Sequence, residues 1–436
     1  MLFCDIALLD QDLEYREHQW VGVRDGCIDY VGAAAPAESA QYGRAYDGRG
    51  KLLMAALYNA HAHAPMTLLR GFAENLPLQR WLEERCFPFE AKMTGDDCYW
   101  GTVLACAEMA RYGVVSFSDM YYATEGRARA VLEAGLKANL CEGLVAFEDK
   151  PYAEYPICAQ MEGLVRDLHG AGDGRVLIDY NIHSEYLSTE QVCRDILDIV
   201  RGNGLRLHIH LSETEKEVRE CRERHGGLSP VEYFESIGLF EVPVTAAHCV
   251  WVDERDLGIL QERGVFVANN PASNMKLGSG FAPIPEMLRR GIPVCLGSDG
   301  MASNNNHNLF HDLYLQALIY KGSTLDPTAV TPQQALAAAT RTGALSQGRE
   351  DCGALAEGFR ADLCVLDVTG PQWCPMTSAP YNVVFAGNGS DVVLTLCDGE
   401  AVYERSADGT EVWPGIDVEK AKAEVAQRAA RIIGEL

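Results

Sequence analysis

Wherever a hydrophobic run of this chain stops, a side chain able to bind a metal or move a proton tends to follow. His61 and His63 close LYNAHAHAPM, and His208, His210 and Glu213 close LRLHIHLSE. His183 closes RVLIDYNIHS, His248 closes VPVTAAHCV, and Asp299 closes IPVCLGSDG. In an extended strand, alternate residues share a face, so His61 and His63 would project together. Alone, that pair fits a solvated loop as well as a metal site. Repetition of the pattern on separate strands shifts the balance, because a polar group ending a buried run needs a partner. Neutral imidazoles with a carboxylate suit zinc and leave room for water in an open coordination position.

The elements that would position these groups alternate along the chain. Amphipathic stretches such as GDDCYWGTVLACAEMARYG are followed by apolar strand candidates, including VVSFSDM, ANLCEGLVAF and GVFVANNP. With the strand holding His61 there are eight such strands. Buried parallel strands alternating with helices predict an α/β fold, and eight units predict a (β/α)8 TIM-type barrel spanning residues 55–349. In such a barrel the C-terminal strand ends converge on one face. Residues 1–54 and 350–436 have β texture with Asp-Gly and Gly-Arg-Gly turns. They are expected to pair as a small β-sandwich module, closed by the charged C-terminal helix VEKAKAEVAQRAARIIGEL.

Bulk properties narrow the function. At 436 residues and 47% hydrophobic content the chain can bury a large core. A net charge of −25 repels phosphate backbones and anionic lipid, so neither nucleic acid nor membrane is an expected partner. No apolar window is long enough to span a bilayer, and the acidic start MLFCDIALLDQD does not read as a signal peptide. The 15 cysteines are scattered without a C-x-x-C pair, as in a reducing cytoplasm, and Cys249 reads as a core residue.

The stretches NAHAHAPM, FPFEAKMT, HIHLSETEKE, TAAHCV, NNPASNMKLGSGFAPI, LGSDGMASNN and GALAEGFRADLCVLD occur in an order that resembles the amidohydrolase superfamily. Within it, the chain is most similar to the methylthioadenosine/S-adenosylhomocysteine deaminases and their chlorohydrolase relatives. The resemblance covers about residues 50 to 400. It implies that His61, His63, His210 and Asp299 bind one divalent metal, with Zn2+ the first choice and Fe2+ the second. It also implies that His248 orients the attacking water, Glu213 shuttles protons, and Glu90 and His183 contact substrate; in the mechanism expected from this set, Asp299 takes up the remaining water proton. Binuclear relatives bridge two ions through a strand lysine. No lysine ends a strand here, so one ion is expected. The implied substrate is a small nucleoside, and the implied assembly is a homo-oligomer, dimer or tetramer.

Members that process S-adenosylhomocysteine resemble one another in carrying arginines for its carboxylate. The matching position here is Glu142, and the loop that follows offers only Lys150. A glutamate would repel a carboxylate, so Glu142 is expected near ribose hydroxyls or a cationic tail, and the 5' group is expected to be neutral. Trp81 and Phe87 are candidates to wall the nucleobase. His208, two residues deeper than His210, reads as a core histidine or a support to the metal ligands. His307 and His311 read as ordinary residues near a helix start, and His18, His169 and His225 as polar surface residues. The expected reaction is deamination of the adenine ring of a 5'-modified adenosine. The alternatives are another N-heterocycle (guanine, a pterin or a triazine) or a barrel kept as an inactive scaffold.

Overall fold

A computed structural model describes residues 1–436. Two five-stranded parallel sheets form its centre. One orders Asp299–Gly300, Leu57–His63, Val114–Tyr121, Lys137–Glu142 and Val176–Ile178. The other orders Tyr180–Ile182, Leu207–Leu211, Val244–His248, Phe266–Asn269 and Val294–Leu296. Only Asp179 separates the end of Val176–Ile178 from the start of Tyr180–Ile182. Gly297 and Ser298 likewise separate Val294–Leu296 from Asp299–Gly300. The interruption before Asp299 turns this residue into its own short pairing with Ala62, beside His63.

These strands are buried almost throughout, as strands covered by helices must be. The helix Gly95–Arg111 shows the local logic. Thr94 and Asp97 form a capping box at its start, and it buries an Ala-, Cys- and Met-rich face.

The terminal segments form one nine-stranded mixed sheet rather than two hydrogen-bonded sheets. Lys51–Ala55 pairs with Leu2–Leu9 on one side and Leu363–Asp367 on the other, so both ends of the chain meet on this strand. A separate apolar cluster including Phe3, Ile6, Val21, Leu53, Leu363 and Leu394 fills that sheet's interior. Lys51–Ala55 runs into Leu57–His63 through Ala56 alone, which fixes the first metal-facing strand to the terminal sheet. A buried ion cluster ties the same joint: Lys137 Nζ lies 2.6 Å from Asp362 and 2.7 Å from Asp398, and Tyr58 donates to Asp362. The C-terminal helix Val418–Gly434 docks through Arg428 and Arg431, which pair with buried Asp97 at 3.0 and 2.6 Å. No helix is long and apolar enough to cross a membrane.

Candidate active site

The strand ends deliver the expected side chains to one place. His61 Nε2 lies 3.4 Å and His63 Nε2 3.1 Å from the same oxygen of Asp299, Oδ1. His210 Nε2 lies 3.4 Å from His63 Nε2. The ligand atoms of His61, His63 and His210 fall within 4.8 Å of one another, and so do those of His61, His248 and Asp299.

Each ring is held by its other nitrogen. His63 Nδ1 meets the Met120 carbonyl at 2.5 Å, His210 Nδ1 the His183 carbonyl at 2.9 Å, and His61 Nδ1 meets His208 Nε2 at 2.9 Å. A partner on Nδ1 fixes the tautomer that leaves Nε2 free for a metal. His61 Nε2 is buried with no hydrogen bond, an orphan that a cation would satisfy. The second oxygen of Asp299 accepts from Ser273 and Ser303, so Oδ1 alone faces the histidines.

The electrostatics fit the same group. Burial drives the His210 and His208 rings well below the usual imidazole range, and takes His61 to about 4, so these stay neutral as ligands must. His63 is the exception. Burial opposes its charge, but Asp299 raises it to about 9; burial would raise the Asp299 carboxyl, yet the His61 and His63 rings beside it keep it well below the carboxylate range. The pocket therefore attracts positive charge at the point where three nitrogens and one oxygen converge. A single divalent ion fits this donor set.

Around that centre, Glu213 Oε2 lies 3.8 Å from His248 Nε2 and Oε1 3.5 Å from Ser279 Oγ. Asn274 holds His248 Nδ1 at 2.8 Å. His248, Cys249, Asp299 and Ser212 all adopt left-handed backbone, with φ of 75°, 46°, 61° and 51°. Such conformations in non-glycine residues are kept where surrounding structure imposes them, often at functional sites.

One cavity joins His63, His210, Glu213, His248 and Asp299 to Glu90, His183, Trp81 and Phe87. Glu90 Oε1 accepts from Tyr121 at 2.7 Å, and burial raises the Glu90 carboxyl to about 7 against that bond. His183 has its Nδ1 buried without a partner, and burial takes the ring to about 3. Trp81 and Phe87 arrive on a helical stretch with a π segment at Leu82–Cys86 between two α turns, and Trp81 donates to the Ala73 carbonyl.

Glu142 does not reach this cavity, contrary to the expectation of a substrate contact. Its two oxygens accept from the Ala123 and Thr124 N–H groups at 2.9 and 2.8 Å and from the Thr124 hydroxyl at 2.6 Å. It serves as the anionic cap of the helix Thr124–Ala134, which the macrodipole favours. Two of the polar histidines are also more constrained than a surface reading implies. His225 pairs with buried Glu185 at 2.7 Å and stacks on Tyr233, and His169 Nδ1 accepts from Ile178 N at 3.1 Å. His18 is exposed beside Asp5 as expected. His307 is fully buried near the start of the helix Leu309–Thr324, whereas His311 lies on the exposed side of its first turn.

Several residues of the site carried no signal of their own. Asp119 accepts from Ala64 N just past His63, and buried Arg127 binds Asp119 and the carbonyls of Tyr121, Tyr122 and Cys141. Together they fix the exits of two neighbouring strands. Asn274 and Ser273 lie in NNPASNMK, a stretch that matched the family pattern without an assigned role.

The model of the amidohydrolase family matches residues 52–402, and the chain belongs to that family. Over 431 residues it is 38% identical to a 5-methylthioadenosine/S-adenosylhomocysteine deaminase of Acetivibrio thermocellus, covering 98% of each chain. It is 41% identical to a 5'-deoxyadenosine deaminase of Methanothermobacter thermautotrophicus over 355 residues, 81% of this chain and 82% of that one. Among solved structures, an adenosine deaminase from Xanthomonas campestris with bound zinc superposes with a TM-score of 0.91 at 26% identity, covering 99% of this chain and 98% of that one. A zinc-complexed atrazine chlorohydrolase from Arthrobacter aurescens shares the fold, with a TM-score of 0.87 at 21% identity over 98% and 99% of the two chains. Membership of the family implies a divalent metal, in agreement with the donor set.

Proposed function

We propose that this chain is a metal-dependent aminohydrolase that deaminates the adenine ring of adenosine-type nucleosides with a neutral 5' group. 5'-Methylthioadenosine, 5'-deoxyadenosine and adenosine are its candidate substrates, and the products are the inosine analogue and ammonia. The observation that carries this reading is the meeting of His63, His210 and Asp299 with Glu213 and His248 in one cavity, with buried His61 within ligand distance behind them. Relatives at 38–41% identity carry the names of deaminases of such nucleosides.

In this reading His61, His63, His210 and Asp299 hold one ion, with Zn2+ the first choice and Fe2+ the second. Bound there, the ion supplies Lewis acidity that brings the pKa of a water from about 15.7 toward about 7. The chain's own groups do the proton work. Burial pushes the Glu213 carboxyl upward, which suits it to keep a proton and give it to the ring nitrogen beside the amine-bearing carbon. His248, with Nδ1 tied to Asn274, directs Nε2 toward the attacking oxygen. Asp299, held in place by the Ser273 and Ser303 hydroxyls on its Oδ2, takes the remaining water proton. Collapse of the tetrahedral carbon then breaks the C–N bond, and the nitrogen leaves as ammonia with the proton returned to it. Glu90, with one oxygen on Tyr121, keeps the other for a ribose hydroxyl. His183 offers its unpartnered ring nitrogen to the purine, and Trp81 and Phe87 flank the base.

No lysine or arginine lines the cavity, so the carboxylate of an S-adenosylhomocysteine tail would be buried there without a cation. Two parts of the fold belong to the same proposal. We read the two parallel sheets as one closed (β/α)8 barrel over about residues 55–349, supported by the strand pairs broken only at Asp179 and Gly297-Ser298. The terminal sheet, folded over its own apolar cluster, is read as the sandwich-like module of residues 1–54 and 350–436. Most of the 15 cysteines are buried thiols within the fold, which fits the reading of a reducing, cytoplasmic setting.

The test is a substrate panel on the zinc-loaded protein, followed by ultraviolet absorbance and ammonia release. Adenosine, its 5'-deoxy and 5'-methylthio forms should turn over, and S-adenosylhomocysteine should be poor. Ammonia from guanine, a pterin or an aminotriazine, with none from any adenosine, would overturn the proposal.

A further inference from the structure

We infer that Glu217 is a positioning residue for Glu213, holding the backbone turn that aims the Glu213 side chain into the cavity. This rests on the role proposed above for Glu213.

Strand geometry alone would put the wrong residue there. On the strand Leu207–Leu211, His208 and His210 share the inward face, and strict alternation would continue that face to Ser212. Yet Glu213 shares the cavity with His210 and Ser212 does not. The switch occurs at Ser212, whose backbone is left-handed with φ of 51°. A serine adopts such a conformation at a cost in strain and keeps it only when neighbours hold it.

Glu217 is that neighbour. It stands in the first turn of the helix Glu215–Arg224, and its own N–H bonds Thr214 Oγ1 at 3.2 Å. In a capping box, an acid at this place turns back to the N–H of the cap residue. Glu217 reaches beyond it. Oε1 accepts from Ser212 N at 2.9 Å, and Oε2 accepts from Glu213 N at 2.8 Å. The carboxylate thus grips both peptide groups that flank the reversal.

On the opposite side of the same turn, the carbonyls of Leu211 and Ser212 accept from Cys249 N at 2.9 Å and Trp251 N at 2.8 Å. Those residues lie one and three positions after His248, so the loop that carries Glu213 is registered against the loop that follows His248. Glu217 is buried and does not line the cavity, which leaves the backbone as its partner. It touches neither the donor set nor the space for substrate.

The test compares E217Q and E217A with T214A. The last removes the ordinary helix cap and leaves the Glu217 clamp in place. Turnover of 5'-methylthioadenosine is measured as kcat per bound metal, with KM and metal content read on the same preparations. E217Q keeps one acceptor oxygen, so kcat should fall at least tenfold, and E217A should fall further. KM should stay within threefold and metal content should not change. T214A should keep kcat within twofold. Retention of kcat within twofold in E217Q, or an equal loss in T214A, would overturn the inference. Crystals of E217Q provide a readout independent of the reaction. The Glu213 side chain should be displaced from the cavity there, and an unmoved Glu213 on a left-handed Ser212 contradicts the proposal whatever the substrate.

Discussion

His61 Nδ1 and His208 Nε2 face each other at 2.9 Å inside the sheet core, imidazole against imidazole. For His61 to present a lone pair at Nε2, its Nδ1 must carry the hydrogen and donate it to His208. His208 is therefore the group that sets the tautomer of one metal-site ring. Replacing it with alanine leaves the His61 donor free to rotate and unpaired. We expect H208A to weaken metal binding about 10–100-fold, the usual cost of losing such a support. Chelator competition followed by metal analysis measures this directly, and unchanged affinity would show that packing alone orients His61.

Glu213 is assigned a proton-transfer role and no contact with the ion. The variant E213Q should accordingly retain its metal while kcat falls about 10²–10⁴-fold, the range for removal of a general acid–base group. Loss of the metal in parallel with activity would instead make Glu213 part of the ion site.

Lys137 concerns stability rather than chemistry. Its ammonium is buried between Asp362 and Asp398 where the terminal sheet meets the first and third inner strands. K137M would leave the buried Asp362 carboxylate without a cation, although Asp398 keeps Arg175 and Arg360 at 3.4 and 3.7 Å, so a loss of about 3–5 kcal/mol is expected. A lower urea midpoint with unchanged kcat in the folded protein is the predicted result. An unchanged midpoint would mean that the carboxylates find other partners.

His307 gives a pH dependence with a definite sign. Burial takes its ring from 6.5 to about 4, with Glu108 opposing and Arg70 adding to the shift. Between those pH values the unfolded chain binds the proton and the folded chain does not. Stability is therefore intact above about pH 6.5 and falls as pH drops toward 4, by up to about 3 kcal/mol from this residue. The buried metal-site histidines add a similar slope in both the parent and an H307Q variant, so the difference between the two isolates His307. The melting temperature of H307Q should decline less between pH 6.5 and 4.5; identical profiles would refute the assignment.

The clustering of His61, His63, His210 and Asp299 was legible because it follows from strand periodicity. His61 and His63 share a face two residues apart, and His210 lies near the end of, and Asp299 just beyond, strands whose apolar runs are plain in the sequence. The supporting residues were not legible in the same way. Ser273 and Ser303 meet Asp299 only after helix and loop return the chain to it, and nothing local marks a serine for that contact. Glu142 misled for a related reason. A carboxylate at a strand end looks free until the left-handed turn at Ala123 brings two backbone N–H groups to it. The terminal segments showed strands but not their partners. Pairing of Lys51–Ala55 with Leu363–Asp367 joins residues some three hundred positions apart, which alternation along one strand cannot reveal.

The central claim is that one ion sits among His61, His63, His210 and Asp299. Anomalous diffraction from crystals of the metal-loaded protein, recorded on both sides of the zinc edge, tests it most directly. The account predicts a single peak about 2.0–2.2 Å from three imidazole nitrogens and one Asp299 oxygen. Crystals whose only anomalous peak lies away from these four side chains, or a stoichiometric metal bound elsewhere in the chain, would contradict it.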